Sequence, residues 1–309
     1  MGRPRRRPLV WRRVANGSVP YLLILPVVVV LCAVLAYPIY RLVRISLEEF
    51  TLFQLAKGVG PYVGLGNFRS VLHDQIFWDT LLRTVVFTAV NVSLTIVGGT
   101  LIALLLTRLW TAVRILLTVG LILVWSMPPV VAVQVWIWMT NVQNGVLNYV
   151  LTTLHVGNYD GHNWFGSSFS TLAMATTLIV WGALPFVVIT VYAALSQVPH
   201  ELVEAAEIDG ARAWRVFKDV TMPVIAPILY LLTCLSILWD FGVFTQVYLL
   251  IGQPAIVPGN YVMGVYLWEE AYVNTDYGRG AAISILMLVI VAALSVFYVR
   301  RMVQTAEVT

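Results

Sequence analysis

Six stretches of nearly uninterrupted apolar residues dominate the chain, at roughly 20–46, 81–107, 112–139, 170–196, 223–248 and 280–302. Each exceeds the length of about 20 residues that a helix needs to cross a hydrocarbon core. A helix at a water-facing surface would instead carry a polar stripe with a 3.6-residue period. The pattern predicts an all-α polytopic membrane protein with six transmembrane helices. The connections differ in kind. Leu47 to Thr80 is long and polar, with turn signals at Gly58, Gly60-Pro61 and Gly64-Leu65-Gly66, then a short amphipathic piece, Asn67–His73. Arg108 to Thr111 is a tight connection, and residues 140–169 carry Asn, Gly and Asp but no Lys or Arg. The chain accordingly divides into a basic N-terminus (1–19), a first transmembrane helix (20–46), an extracytoplasmic segment (47–79), a five-helix core (80–303) and a tail (304–309).

Composition agrees with a membrane address. The chain is 60% hydrophobic and 11% charged, with a mean hydropathy of +0.85, well beyond the apolar share of soluble domains. The net charge of +4 does not point to nucleic acid. Arg3, Arg5, Arg6, Arg7, Arg12 and Arg13 precede the first apolar run and read as a topology signal. That run continues through Tyr37-Pro38-Ile39-Tyr40 and reads as a membrane helix rather than a cleaved signal peptide. Placing the N-terminus in the cytoplasm also puts Arg108, Arg114, Arg212, Arg215, Lys218, Arg300 and Arg301 there. Only Arg41, Arg44, Lys57, Arg69, Arg83 and Arg279 of the 19 Lys and Arg are left for the other face. The bias predicts that both termini are cytoplasmic. Cys32 and Cys234 fall in spans, without metal-ligand spacing.

Prolines at 26, 128–129, 185, 223 and 227 fall in or at the ends of spans, where each removes a backbone hydrogen bond. They predict helices that kink for packing or bend around a pathway.

Residues 197–222 read as a two-helix hairpin. Pro199 suits a first helical position, with Glu201 and Glu204 near the positive helix end. Ala205 and Ala206 offer a flat surface, and Asp209-Gly210 ends the helix. Trp214, Phe217 and Val220 recur at helical spacing before Met222-Pro223 opens the next span. An amphipathic helix lying on lipid would be rich in Lys and Arg. Here Glu201, Glu204, Glu207, Asp209 and Asp219 nearly balance the basic residues, which fits a protein-binding hairpin better.

Glu204-Ala205-Ala206, Asp209-Gly210-Ala211, Phe217 and Pro223 resemble, in order and spacing, the coupling (EAA) loop of binding-protein-dependent ABC importer permeases, most closely the carbohydrate-import, maltose-permease branch. Gly66-Asn67-Phe68, Trp181 with Pro185, Tyr248-Leu249-Leu250 and Gly278 with Ala281-Ala282 add to the likeness, which covers about residues 65–303. The chain departs from it at Ile251-Gly252-Gln253-Pro254, where the branch has a double glycine before proline. The tail lacks the Lys-Gly ending of the second permease in such pairs. The resemblance implies a type I importer permease of the first-permease kind, working as one half of a heterodimer. It also implies an ATPase dimer on separate chains that holds the ATP and Mg, and an extracytoplasmic solute-binding protein. Glu201, Glu204, Ala205, Ala206, Asp209 and Gly210 are expected to contact the ATPase.

The chain encodes no phosphate loop of its own. Its lysines, Lys57 and Lys218, follow Ala56 and Phe217, so G-x-x-x-x-G-K-[ST] cannot occur. No H-E-x-x-H or G-x-S-x-G set marks it as a membrane enzyme. Asp240 is the one acid deep in an apolar run, thin support for an ion-coupled carrier. By position, the resemblance carries Trp181, Phe186, Trp239 and Asp240 to a sugar site, with Asn91 as a further polar candidate. Aromatic faces beside hydrogen-bonding groups suit a sugar, whose hydroxyls lose water on entry. The competing reading of each ring is helix packing, and of Asp240 an interhelical hydrogen bond. Other importer solutes, such as glycerol phosphate or polyamine, stay open, although no Lys or Arg lies at mid-span to hold a phosphate.

Overall fold

A computed structural model of the chain describes residues 9–251 and 257–306, with side chains from 21 to 300 outside the gap. In chain order the helices are α1 (Leu9–Ser46), α2 (Leu52–Lys57), α3 (Gly66–Leu72), α4 (Gln75–Arg108), α5 (Thr111–Trp125), α6 (Pro129–Met139) and α7 (Val146–Thr153), followed by α8 (Ser168–Leu195), α9 (His200–Ile208), α10 (Ala213–Val216), α11 (Met222–Phe241), α12 (Thr245–Ile251), α13 (Met263–Trp268) and α14 (Tyr277–Ala306). Among the described residues, only isolated bridges (Glu48 with Tyr62, Thr51 with Asp276) pair extended backbone. Arg3, Arg5, Arg6 and Arg7 of the basic cluster, the divergent Gly252-Gln253-Pro254 and the last three residues lie outside the described chain.

Among the described residues, five helices are long and apolar enough to cross a membrane: α1 from Tyr21, α4, α8, Ala213–Phe241 and α14 from Tyr277. The bent α5–α6 pair makes a sixth if the two halves count as one broken span.

Four expectations need correction. First, α4 starts at Gln75, inside the stretch assigned to the extracytoplasmic segment and ahead of its apolar run, while α1, whose membrane-crossing part is Tyr21–Ser46, extends back to Leu9. The Asp74 carboxylate accepts a hydrogen bond from the Ile76 amide (2.9 Å) and so caps the helix before the hydrophobic stretch begins. Second, the predicted third span is not one helix. α5 and α6 meet at 100° across Ser126-Met127-Pro128. Neither Pro128 nor Pro129 can donate to the preceding turn, and the residue before each proline is driven out of the α region. The 15 residues of α5 are roughly 22 Å long, short of a hydrocarbon core of about 30 Å. Third, the run 223–248 divides at Gly242-Val243-Phe244, where α11 stops and a separate helix, α12, starts at Thr245. Fourth, the hairpin's second arm does not end before span five. α10, a π turn over Phe217–Thr221 and α11 run on as one apolar helix, Ala213–Phe241. On α10, Val216 is buried while Trp214, two residues away and so on a different helix face, is 72% exposed.

α4 packs most extensively against α8, and α11 sits against α14 and α4. Near the 197–222 hairpin the core is built from Ala103, Leu106, Val188, Val191, Ile225 and Leu232. A second core at the opposite end gathers Val71, Phe77, Met263, Tyr266 and Ile283. α13 can lie directly on the α11–α12 break because residue 264 is glycine: a Cβ there would sit 2.5 Å from the Val243 carbonyl oxygen. Two further ties hold the chain after α12 to α4. Thr84 Oγ1 accepts from the Met263 amide (2.9 Å), and the Arg83 guanidinium donates to the Pro258 and Tyr261 carbonyls, both at 2.9 Å. α1 lies to one side against α14, and every residue from Tyr21 to Tyr40 is exposed.

Candidate functional site

Both helix breaks open onto one cavity. It measures about 480 Å³ and is lined by Trp125 and Met127 at the first break, Trp181, Gly182 and Phe186 on α8, and Trp239, Asp240, Phe244 and Gln246 around the second. Irregular backbone at membrane depth is tolerated where it lines a cavity or is buried in protein, because its free polar groups then find partners. Pro185 adds to the same logic. It cannot donate to the carbonyl of Trp181 four residues back, so an acceptor is freed on a residue of the cavity wall.

The rings in this wall form a run. Trp125 stacks on Phe186 at 6.0 Å with planes 20° apart, and Phe186 meets Trp239 at 5.6 Å. Trp181 is held edge-on by Trp136 at 6.2 Å. Trp239 is 55% exposed while the neighbouring Asp240 is only 6% exposed. None of the ion pairs among the described residues involves Asp240. The cavity therefore presents flat apolar faces, one carboxylate and freed backbone acceptors, and its lining contains no Lys or Arg.

Four of the five residues singled out for solute contact thus come together: Trp181, Phe186, Trp239 and Asp240. Asn91 does not line the cavity. It is wholly buried in α4, on the face that also buries Thr88 and Thr95, and neither polar atom of its side chain has a partner among the described residues. Sequence reasoning passed over Trp125, Phe244 and Gln246. The signal was available, since Trp125 stands just before Met127-Pro128-Pro129 and Phe244 just after Gly242, at the two places where a helix must stop.

At the other end of the cavity-bearing helices stands the hairpin. α9 runs from His200, with Pro199 as its N-cap rather than its first helical residue. Gly210 adopts φ +79°, its amide donates to Glu207 O (3.0 Å), and Ala211 donates to Ala206 O (2.9 Å). This paired closure of a helix C-terminus needs a left-handed residue, which glycine supplies at little cost. Glu201, Glu204, Ala205, Asp209 and Gly210 are exposed and Ala206 half-buried. Ile208 at 86% and Trp214 at 72% exposure stand among exposed acids and the exposed Arg212, Arg215 and Lys218, so this end of the molecule offers a mixed-charge surface studded with apolar knobs.

A third cluster went unnoticed in the sequence. At the end opposite the hairpin, Arg279 reaches Asp74 at 2.7 Å and Glu270 at 3.3 Å, while the Tyr266 hydroxyl donates to the same Asp74 carboxylate at 3.2 Å. Burial works against ionised Asp74, but the Ile76 amide, Arg279 and Tyr266 hold its carboxyl below the usual carboxylate range. Burial pushes Glu270 up and the Tyr266 hydroxyl up to about 12. More than 190 residues separate Asp74 from its partners Tyr266 and Arg279, a distance no motif spans. The network pins the starts of α4 and α14 and the π turn Glu269–Val273 together.

Comparison with known proteins places this architecture. Residues 95–305 match the family of the binding-protein-dependent transport system inner membrane component. The diacetylchitobiose uptake system permease protein DasB of Streptomyces coelicolor is 40% identical over 95% of this chain and 89% of its own length. The trehalose/maltose transport system permease protein MalF of Thermococcus litoralis is 33% identical over 92% and 94%. A chain in the crystal structure of a bacterial alginate ABC transporter, in complex with an alginate pentasaccharide-bound periplasmic protein, superposes with a TM-score of 0.77. That match covers 94% of this chain and 96% of the other at 17% identity, a likeness of fold. The broken spans, the capped hairpin and the matched segment together make the chain a member of the binding-protein-dependent transport system inner membrane components, a multi-pass ABC-importer permease.

Proposed function

We propose that the chain is the transmembrane permease subunit through which an ATP-driven importer moves a sugar, mono- or oligosaccharide, across the inner (plasma) membrane of a prokaryote. One observation carries the reading. The only acid deep in a span, Asp240, is buried beside Trp239 in a cavity walled by Trp125, Trp181 and Phe186. Flat rings cover the apolar faces of a pyranose, while a carboxylate and freed carbonyls accept from its hydroxyls and offset their lost hydration. The names of the diacetylchitobiose and trehalose/maltose relatives support the same solute class.

The remaining parts follow from position. The hairpin 197–222 is the docking element for an ATPase dimer on separate chains, which holds the ATP and Mg; both termini are then cytoplasmic. α1 and the open side of the bundle accept a second permease subunit. An extracytoplasmic binding protein delivers the solute at the end carrying α13. Each cycle of the ATPase moves the α9–α10 elbow, and the unbroken helix from Ala213 to Phe241 transmits that motion to Trp239 and Asp240 at its far end.

The test uses the assembled transporter in proteoliposomes with diacetylchitobiose, maltose, trehalose, glycerol 3-phosphate and spermidine. A sugar is expected to stimulate ATP hydrolysis and to be taken up. Trp239→Ala and Asp240→Asn are expected to raise the half-saturating concentration at least about tenfold, as a buried hydrogen bond to a charged group would, with assembly retained. Stimulation by spermidine alone would instead assign Asp240 to a cationic solute.

A further inference from the structure

The cavity's ring wall does not stop at the cavity. Phe244, which lines it, lies 4.9 Å from Tyr248 and 5.2 Å from Trp268. Tyr248 and Trp268 are 5.6 Å apart. Trp268 in turn stacks on Tyr272 at 4.2 Å with planes 19° apart, and Tyr272 is 59% exposed. The spacing arises locally. Trp268 ends α13, the backbone widens into the π turn Glu269–Val273, and that turn sets Tyr272 flush over the indole. Phe244, Tyr248 and Trp268 are each partly exposed rather than sealed in the core. Glu269, engaged by none of the ion pairs among the described residues, stands between the two stacked rings in sequence.

We infer that Tyr272, Trp268, Tyr248 and Phe244 form an entry subsite for an oligosaccharide, a track of ring faces from the surface at the α13 end down to the cavity. The inference rests on the sugar reading above and adds a second, outer place of contact. Two features favour a sugar over a protein as occupant. The rings are continuous with the cavity wall through Phe244, so whatever uses them shares a path with the solute. Glu269 follows Trp268 directly in the chain and puts a carboxylate on the same turn that carries Tyr272, and pyranose hydroxyls call for acceptors near an apolar face. A track of this kind holds successive residues of a chain, so it discriminates by length.

The experiment is performed on the complete transporter in proteoliposomes with its binding protein, using N,N′-diacetylchitobiose and its tetrameric homologue, and maltose with maltotetraose. Tyr272→Ala and Trp268→Leu are compared with Tyr272→Phe, Trp268→Phe and Trp239→Ala. Expected is a rise of about fivefold in the half-saturating concentration for the tetramer, a smaller one for the disaccharide, an unchanged maximal rate, and recovery in both Phe variants. If the Ala and Leu variants match the parent while Trp239→Ala loses uptake, the track is overturned and the cavity reading survives. If Trp239→Ala is silent as well, both fall. If Tyr272→Ala lowers recovery of the second permease subunit instead of affinity, the rings belong to a subunit interface and the inference is again overturned.

Discussion

Asp74 does two things with one side chain. It caps α4 through the Ile76 amide (2.9 Å) and pairs with Arg279 at 2.7 Å. Two substitutions separate these roles. Asparagine caps as well as aspartate, so Asp74→Asn removes only the charge, whereas Asp74→Ala also gives up a cap of about 1 kcal/mol. We expect thermal unfolding of the detergent-solubilised complex to rank parent above Asp74→Asn above Asp74→Ala at neutral pH. The pH dependence has a definite sign. A carboxyl whose folded value lies below its ordinary one stabilises above the ordinary value and loses that contribution as pH falls through the folded value. The gap between parent and Asp74→Asn should therefore close below about pH 4. Glu270 runs the other way, since burial raises it and protonation on acidification relieves rather than costs. A gap that persists unchanged at pH 3 would dismiss Asp74 as the acid-sensitive member.

Helices here are informative where they fail. Pro185 lies inside α8 and is buried, yet its helix is not interrupted, so what it contributes is the missing donor. Pro185→Ala restores an amide to the Trp181 carbonyl, and we expect a stiffer α8 with sugar affinity reduced several-fold, the equivalent of one lost hydrogen bond. Sugar-dependent ATP hydrolysis reads this directly. At the hairpin, Gly210 at φ +79° has open space around a hypothetical Cβ, so Gly210→Ala meets no clash but pays roughly 1–2 kcal/mol of left-handed strain. We expect it to weaken sugar-stimulated hydrolysis while leaving the maximal sugar affinity alone. Glu204→Arg, which reverses charge on the exposed face of α9, should abolish co-purification of the ATPase. A Glu204→Arg complex that retained its ATPase and its uptake would remove the hairpin from the coupling role.

For the molecule as a whole the hairpin and the α13 end lie at opposite ends of the bundle, so their exposure to the two aqueous phases is opposite too. In a background with Cys32 and Cys234 replaced by alanine, a cysteine at Glu204 is expected to react with an impermeant maleimide only in inside-out vesicles, and one at Tyr272 only in right-side-out vesicles. Reaction of both from one side would overturn the assigned topology. The exposed run from Tyr21 to Tyr40 marks the part of α1 that this chain's own core leaves uncovered, although the helix lies against α14.

Much of this protein was legible before any coordinates. Apolar runs longer than a bilayer is thick fix the membrane address, because lipid admits few backbone solutions. The residues Glu204 to Gly210 encode a helix, its stop and its exposed acidic face through local physics alone, and the stop at Gly210 follows from a backbone angle glycine alone reaches cheaply. Trp181, Phe186, Trp239 and Asp240 could be named singly, but periodicity does not say which way a ring on a helix apolar all round will face. Only packing decided that, by turning the breaks at Pro128-Pro129 and Gly242 toward the same side as Trp181 and Phe186 and turning Asn91 away. Packing likewise brought Arg279 to Asp74 and Trp268 to Phe244, since contacts between distant segments depend on how helices stack and not on any local preference of the residues that make them.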